Sequence, residues 1–393
     1  MKRAFQAWSW LFSAMLLLAA APEAWGQSYD FSQLDKLLRR ASATLPAGLE
    51  VAIVHNGQEI YHKEFGRWRE NRQGVIASSS KWLSGAVIMS LVDDGTLSLD
   101  DKASHYLPYM TGEKSTITVR QLMSHTSGFG GEFPLVDRCI GDASTTLDAC
   151  AQAIAKVPLK IPAGTGFIYS GAGMQIAGRV AEVASGKDWQ TLFRERVAEP
   201  LGLVLTDYEY KGRTKNPRIS GGGRSTVSDY MKFLRMIAGR GLFEGRRVLS
   251  SEAVDALLSD QTRGVPIVES PFQRASVYDP KAALNRYGIG NWLEDLDENG
   301  RTTWNSSPGL TGWTPFIDRS RDLQVVVATE SFRGFLQYYF PLKEILKNLI
   351  PPSPRSASAS GPLPAPERTG TGTGSAAKLG ASDRPTGATR RNN

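Results

Sequence analysis

Strand-forming sequence in this chain falls into two blocks separated by a long helix-rich stretch, and that division constrains the fold more than any other feature. In the first block, Phe31, Leu34, Leu37 and Leu38 recur at helical spacing. Residues 49–54 and 59–65 then read as strands joined through His55-Asn56-Gly57, where Asn-Gly suits the left-handed tight turn of a hairpin. The second block places strands at residues 287–293, 302–304, 314–317 and 323–329, followed by a closing helix from about Phe335 to Leu349. Between them lie helical patterns at 119–123, 147–154, 173–184 and 189–197. One sheet made from both blocks predicts an α+β architecture: an antiparallel sheet flanked by helices, with a helical domain inserted at about 95–210 and a cleft at the junction.

The two ends are of another character. Lys2 and Arg3, the apolar run from Leu11 to Ala21, and Ala24-Trp25-Gly26 follow the order of a secretory signal, which predicts a signal peptide over 1–26 and a body over 27–350. The apolar run is shorter than the roughly 20 residues of a spanning helix, so no transmembrane anchor is expected after cleavage. From 351 to 393 the chain is Pro, Ser, Gly, Ala and Thr with little to bury, the signature of a disordered tail. Export predicts a periplasmic or secreted protein, and there the only two cysteines, Cys139 and Cys150, read as a disulfide rather than as free thiols.

The net charge of +7 is unevenly spread. Arg355, Arg368, Lys378, Arg384, Arg390 and Arg391 against Glu367 and Asp383 put +4 in the tail; Lys2, Arg3 and Glu23 add +1, leaving +2 for the body. That is too little for a phosphate-binding surface, and no nucleic-acid partner is expected. No His/Cys/carboxylate group has metal-ligand spacing and there is no phosphate loop, so neither metal nor cofactor is expected. Gly171-Ala172-Gly173 lacks the remaining glycine of a dinucleotide loop, since position 176 is Ile.

A serine needs a base to take its proton before it can attack a carbonyl. No Gly-x-Ser-x-Gly elbow occurs, and none of the four histidines lies in a recognisable triad context. Ser78-Ser79-Ser80-Lys81 offers another solution. With Ser78 at the start of a helix, its hydroxyl and the Lys81 amine share a face one turn apart, and the free N–H groups of that helix end can face an oxyanion. The apolar helix that follows would desolvate Lys81 and favour its neutral form. The alternative is an N-capping serine run, for Ser-x-x-Lys recurs at 375–378 in the tail.

Several ordered blocks carry a resemblance: Ala77-Ser78-Ser79-Ser80-Lys81-Trp82-Leu83, residues 91–101, Tyr106-Leu107-Pro108, residues 118–128, 162–170 and 221–230. Together they resemble the serine β-lactamase-related family, which includes class C β-lactamases, D-alanyl-D-alanine peptidases and family VIII carboxylesterases. The resemblance covers nearly all of residues 30–350 and implies a β-lactamase/penicillin-binding-protein-like fold. It further implies Ser78 as the acylated nucleophile, Lys81 as its activator, and Tyr169 as the tyrosine of a Tyr-x-Asn box that shares proton transfer with the lysine, its phenol drawn toward the working range by a neighbouring ammonium.

Two departures bear on the substrate. Gly171 stands where the family usually has Asn. The third box, usually Lys/His-x-Gly, aligns with Ser307-Pro308-Gly309, or in a competing register with Leu310-Thr311-Gly312; neither carries a cation. In the first register the resemblance implies that the backbone N–H groups of Ser78 and Leu310 would form the oxyanion hole and that Gly171, Ser307, Gly309 and Trp313 would contact the substrate. Tyr287, Trp292 and Trp304 are further candidates to line an apolar acyl pocket. These changes point away from substrates with a terminal carboxylate and toward an esterase-like hydrolase of small-molecule or peptide acyl compounds. A β-lactamase or D-alanyl-D-alanine peptidase, and a catalytically silent scaffold that kept the fold, are the other readings.

Overall fold

The computed structural model describes residues 28–130, 134–271, 286–332 and 334–352. The signal sequence and nearly all of the C-terminal tail read above lie outside these residues. A seven-stranded antiparallel sheet is built from both ends of the chain. Its strands are β1 (Leu49–His55), β2 (Gln58–Phe65), β3 (Arg286–Tyr287), β4 (Trp292–Leu296), β5 (Thr302–Ser306), β6 (Thr314–Asp318) and β7 (Leu323–Ala328), in the order β2-β1-β7-β6-β5-β4-β3. The expected hairpin is present, with Asn56 at φ 50° and Gly57 at φ 76°, both positive as its tight turn requires.

The period of two sorts the sheet's side chains into two cores. Leu49, Val51 and Ile53 of β1 join Leu323, Val325 and Val327 of β7 on one face, under helices α1 (Ser32–Thr44) and α5 (Leu336–Leu349). Ala52, Val54, Val326 and Ala328 turn to the other face and the helical body. That body centres on α2 (Ser80–Asp93), whose residues from Ser80 to Leu91 are buried all round. Further helices include α3 (Gly171–Ser185) and α4 (Val227–Ala238), the latter packed on β1, β6 and β7. Cys139 and Cys150 are bonded, tying helix Pro134–Gly141 to helix Leu147–Lys156.

Residues 287–293, expected as one strand, are broken at Gly288–Asn291, where the Gly288 N–H donates to the Asn291 carbonyl. The helix forces this break. A Cβ on Gly290, at φ 86°, would stand 2.0 Å from the Lys81 carbonyl oxygen, and one on Gly85 would stand 2.2 Å from the Ile289 oxygen. Backbone meets backbone here, and this contact seats the start of α2 against the sheet.

Candidate active site

Three serines precede Lys81, and the structure separates their roles. Ser79 Oγ donates to the carbonyls of Ser307 at 2.6 Å and Trp313 at 3.1 Å, which ties the turn to the sheet edge. Ser80 Oγ donates to the Ala77 carbonyl at 2.6 Å and accepts the Gly223 N–H at 2.9 Å. Neither caps α2. Ser78 alone faces partly open space, and its Oγ accepts from Lys81 Nζ at 2.9 Å. The residue before it, Ala77, sits at φ 45°, an uncommon conformation for a side-chain-bearing residue and one held by the contacts around it.

Lys81 is 3 % exposed, and its amine also donates to the Ser220 carbonyl at 2.6 Å. Burial, reinforced by the charge of Arg218, holds its pKa well below the usual lysine range. The amine lies 4.8 Å from the Tyr169 ring centroid, and Ser78 is near enough to the phenol to lower its pKa. The Ser78 hydroxyl, the Lys81 amine and the Tyr169 phenol therefore lie in one neighbourhood. The expectation for the phenol reverses, however: burial pushes Tyr169 up to about 12, with Ser78 and Arg218 only partly offsetting it. The two shifts run in opposite directions, the amine toward its neutral form and the phenol toward its protonated one, which is the arrangement that suits Lys81 rather than Tyr169 to accept a proton.

Tyr169 is held from behind by rings. Trp292 stacks on it at 5.2 Å and His125 lies at 4.5 Å, with Tyr287 and Phe167 completing the cluster. His125, at φ 62°, accepts the Ser170 N–H on Nδ1 at 3.3 Å, which places its own proton on Nε2. Burial first, and proximity to the Lys81 amine second, hold it well below the usual histidine range, favouring the neutral ring.

The third box sits beside Ser78. Ser307 Oγ donates to the Ser78 carbonyl at 3.3 Å, the Gly309 N–H to the Trp313 carbonyl at 2.6 Å, and a Cβ on Gly309 would stand 2.2 Å from the Ile76 oxygen. Among the described residues neither Ser78 nor Leu310 spends its backbone N–H on a hydrogen bond, and Leu310 is exposed. Trp313 joins the site through its carbonyl, while its indole is wholly buried, 6.3 Å from Tyr230. Of the other sheet aromatics, Tyr287 and Trp292 back Tyr169, whereas Trp304 belongs to the opposite core beside Phe316.

Gly171 lies at the start of α3, and a Cβ there would stand 2.7 Å from Ser220 Oγ. Ser220 and Arg218 were not singled out from the sequence. The only signal near them is the Gly221-Gly222-Gly223 run, which lets this loop close on Lys81. One group of metal-type ligands occurs among the described residues, Glu50, His62 and Glu64 on β1 and β2, but both Glu50 oxygens are taken, by His62 Nε2 at 2.8 Å and Trp68 Nε1 at 2.9 Å.

Residues 34–338 match the family model described as Beta-lactamase. A crystal structure of a beta-lactamase-type protein from Bacteroides dorei DSM 17855 superposes with a TM-score of 0.74 at 31% identity, covering 82% of this chain and 99% of that one. EstCE1, a hydrolase with promiscuous acyltransferase activity, shares the fold with a TM-score of 0.63 at 20% identity, over 79% of this chain and 97% of its own. Penicillin-binding protein 4 of Amycolatopsis lactamdurans is 32% identical over 220 residues, which is 48% of this chain and 56% of that protein. The chain spans about half the length, or less, of the curated relatives it matches.

Proposed function

This chain belongs to the beta-lactamase family of serine hydrolases, and we propose that it is an exported, esterase-like member acting through an acyl-Ser78 intermediate. One observation carries the reading: a buried amine, held below its usual range, lies 2.9 Å from the hydroxyl of a partly open serine. Such an amine takes the Ser78 proton while Oγ attacks an ester or amide carbonyl. The unpaired N–H groups of Ser78 and Leu310 are suited to receive the oxyanion. The proton held by Lys81 passes, with the Tyr169 hydroxyl as donor in between, to the leaving group, and water releases the acyl group by the reverse path.

Ester preference is supported by what is missing. Gly171 brings no amide, and Ser307 and Gly309 bring no cation for a substrate carboxylate. The Cys139–Cys150 bond supports an oxidising compartment, and no helix among the described residues is long and apolar enough to cross a membrane. The penicillin-binding relatives support a second reading, action on β-lactams or cell-wall peptides.

Incubation with a fluorophosphonate followed by peptide mapping tests the first reading. Modification of Ser78, with hydrolysis of short p-nitrophenyl esters faster than of a chromogenic cephalosporin, is expected. An adduct confined to another residue would overturn the assignment, and faster cephalosporin turnover would transfer it to the second reading.

A further inference from the structure

A neutral lysine amine has two N–H donors and one lone pair. To take the Ser78 proton the lone pair must face Oγ, which leaves two N–H groups in need of acceptors inside a desolvated pocket. The Ser220 carbonyl, at 2.6 Å, accepts one. A polar side chain at 171 would be the natural second acceptor, and Gly171 supplies none.

The slot in front of Gly171 is nevertheless filled. A Cβ there would stand 2.7 Å from Ser220 Oγ and 3.6 Å from Ile140 Cδ1. Ser220 is 2 % exposed, and among the described residues its hydroxyl makes no hydrogen bond. The residue whose carbonyl already holds Lys81 thus brings an unspent hydroxyl into the space a side chain at 171 would occupy. Tyr169, His125 and Arg218 are the other titratable or charged groups acting at this amine, and none offers it a carboxylate.

We propose that Ser220 is a positioning residue for Lys81: its hydroxyl accepts the second amine N–H when the lone pair turns to Ser78, replacing the side chain absent at Gly171. In that step the Ser78 O–H bond breaks and a third Lys81 N–H bond forms, while Ser220 keeps its own proton. The assignment rests on the acyl-Ser78 reading, and the test separates the two.

Acylation of Ser78 by a p-nitrophenyl ester is followed by rapid quench across pH in the wild type, Ser220→Ala, Ser220→Thr, Gly171→Asn and Gly171→Asn/Ser220→Gly. Loss of one hydrogen bond of this kind is expected to slow Ser220→Ala about tenfold, with KM changed less than about twofold. Its acid limb should move to lower pH, because an ammonium loses more than a neutral amine when an acceptor is removed. Ser220→Thr, which keeps the hydroxyl, should retain the wild-type profile. Gly171→Asn alone should be impaired by the 2.7 Å contact, and the paired exchange should recover most of the rate. If the wild type is not acylated at Ser78, the underlying reading fails. If it is, and Ser220→Ala acylates at the wild-type rate with an unmoved profile, the Ser220 assignment alone fails. Should Ser220→Ala not fold, wild-type behaviour of Ser220→Thr together with recovery in the paired exchange supports the assignment, and its absence in either one overturns it.

Discussion

Burial divides the chemistry between Lys81 and Tyr169, pushing the amine toward its neutral form and the phenol toward its protonated one. As the proposed base, Lys81 acts in its deprotonated form, so ester hydrolysis should rise with pH through its lowered pKa and level off well below the ordinary lysine range near 10.5. Lys81→Ala should lower kcat/KM by roughly 10²–10⁴, and Lys81→Arg, which cannot lose its proton, should do no better. The same burial costs stability. Unfolded chains bind a proton at Lys81 that the folded protein does not, so this residue's contribution improves as pH rises from its lowered pKa toward 10.5. Thermal melts at neutral pH should therefore find Lys81→Met inactive yet more stable than the wild type by about 1–3 kcal/mol; an equal or lower melting point would contradict the placement of the amine. Ser78, Lys81 and Tyr169 were legible because motif blocks mark them. Ser220, 139 residues beyond Lys81, was not, because its contact exists only once the chain closes, and the direction of the Tyr169 shift depends on burial that a motif does not carry.

At the scale of elements, α2 is placed by its small residues. Gly85 and Gly290 allow helix and sheet backbones to touch, so Gly290→Ala, which adds a clash 2.0 Å from a carbonyl oxygen and a strained positive φ, should lower stability by about 2–4 kcal/mol in denaturant titrations and slow acylation of Ser78 as well. An unchanged midpoint would mean that the contact is looser than described. Tyr287, Ile289, Trp292 and Leu293 are strand formers and make the stretch read as one strand, but Gly288, Gly290 and Asn291 between them admit a break, and the helix pressing on Gly290 fixes where it falls. On the first hairpin, the hydrogen bond from His62 to buried Glu50 raises His62 to about 8. A raised histidine adds stability that is complete below its unfolded pKa near 6.5 and is lost as pH climbs through 8. His62→Gln should remove that dependence, worth roughly 1–2 kcal/mol between pH 6 and 9 in melts of the two proteins; parallel curves would contradict the pairing.

For the whole molecule, the chain's two ends close one sheet: β1 pairs with β7 along its length, and α1 and α5 cover the same face. Most of this was legible, because hairpin chemistry and period-two runs are local signals and the strand blocks flank a helix-rich middle. The sheet order and the continuation of helices past residue 210, in α4 and in Ser251–Leu258, depend on tertiary packing that local patterns do not encode. The closure brings the turn before α2, the loop after β5 and the loop before α4 together around Ser78, and it is there that the proposed covalent intermediate must form. Quenching the full-length protein within the first turnover of a p-nitrophenyl ester and locating the acyl group by mass spectrometry tests this most directly. The account predicts one acyl group on Ser78, absent in Ser78→Ala and slow to form in Lys81→Ala; turnover without any adduct, or an adduct that survives Ser78→Ala, would contradict it.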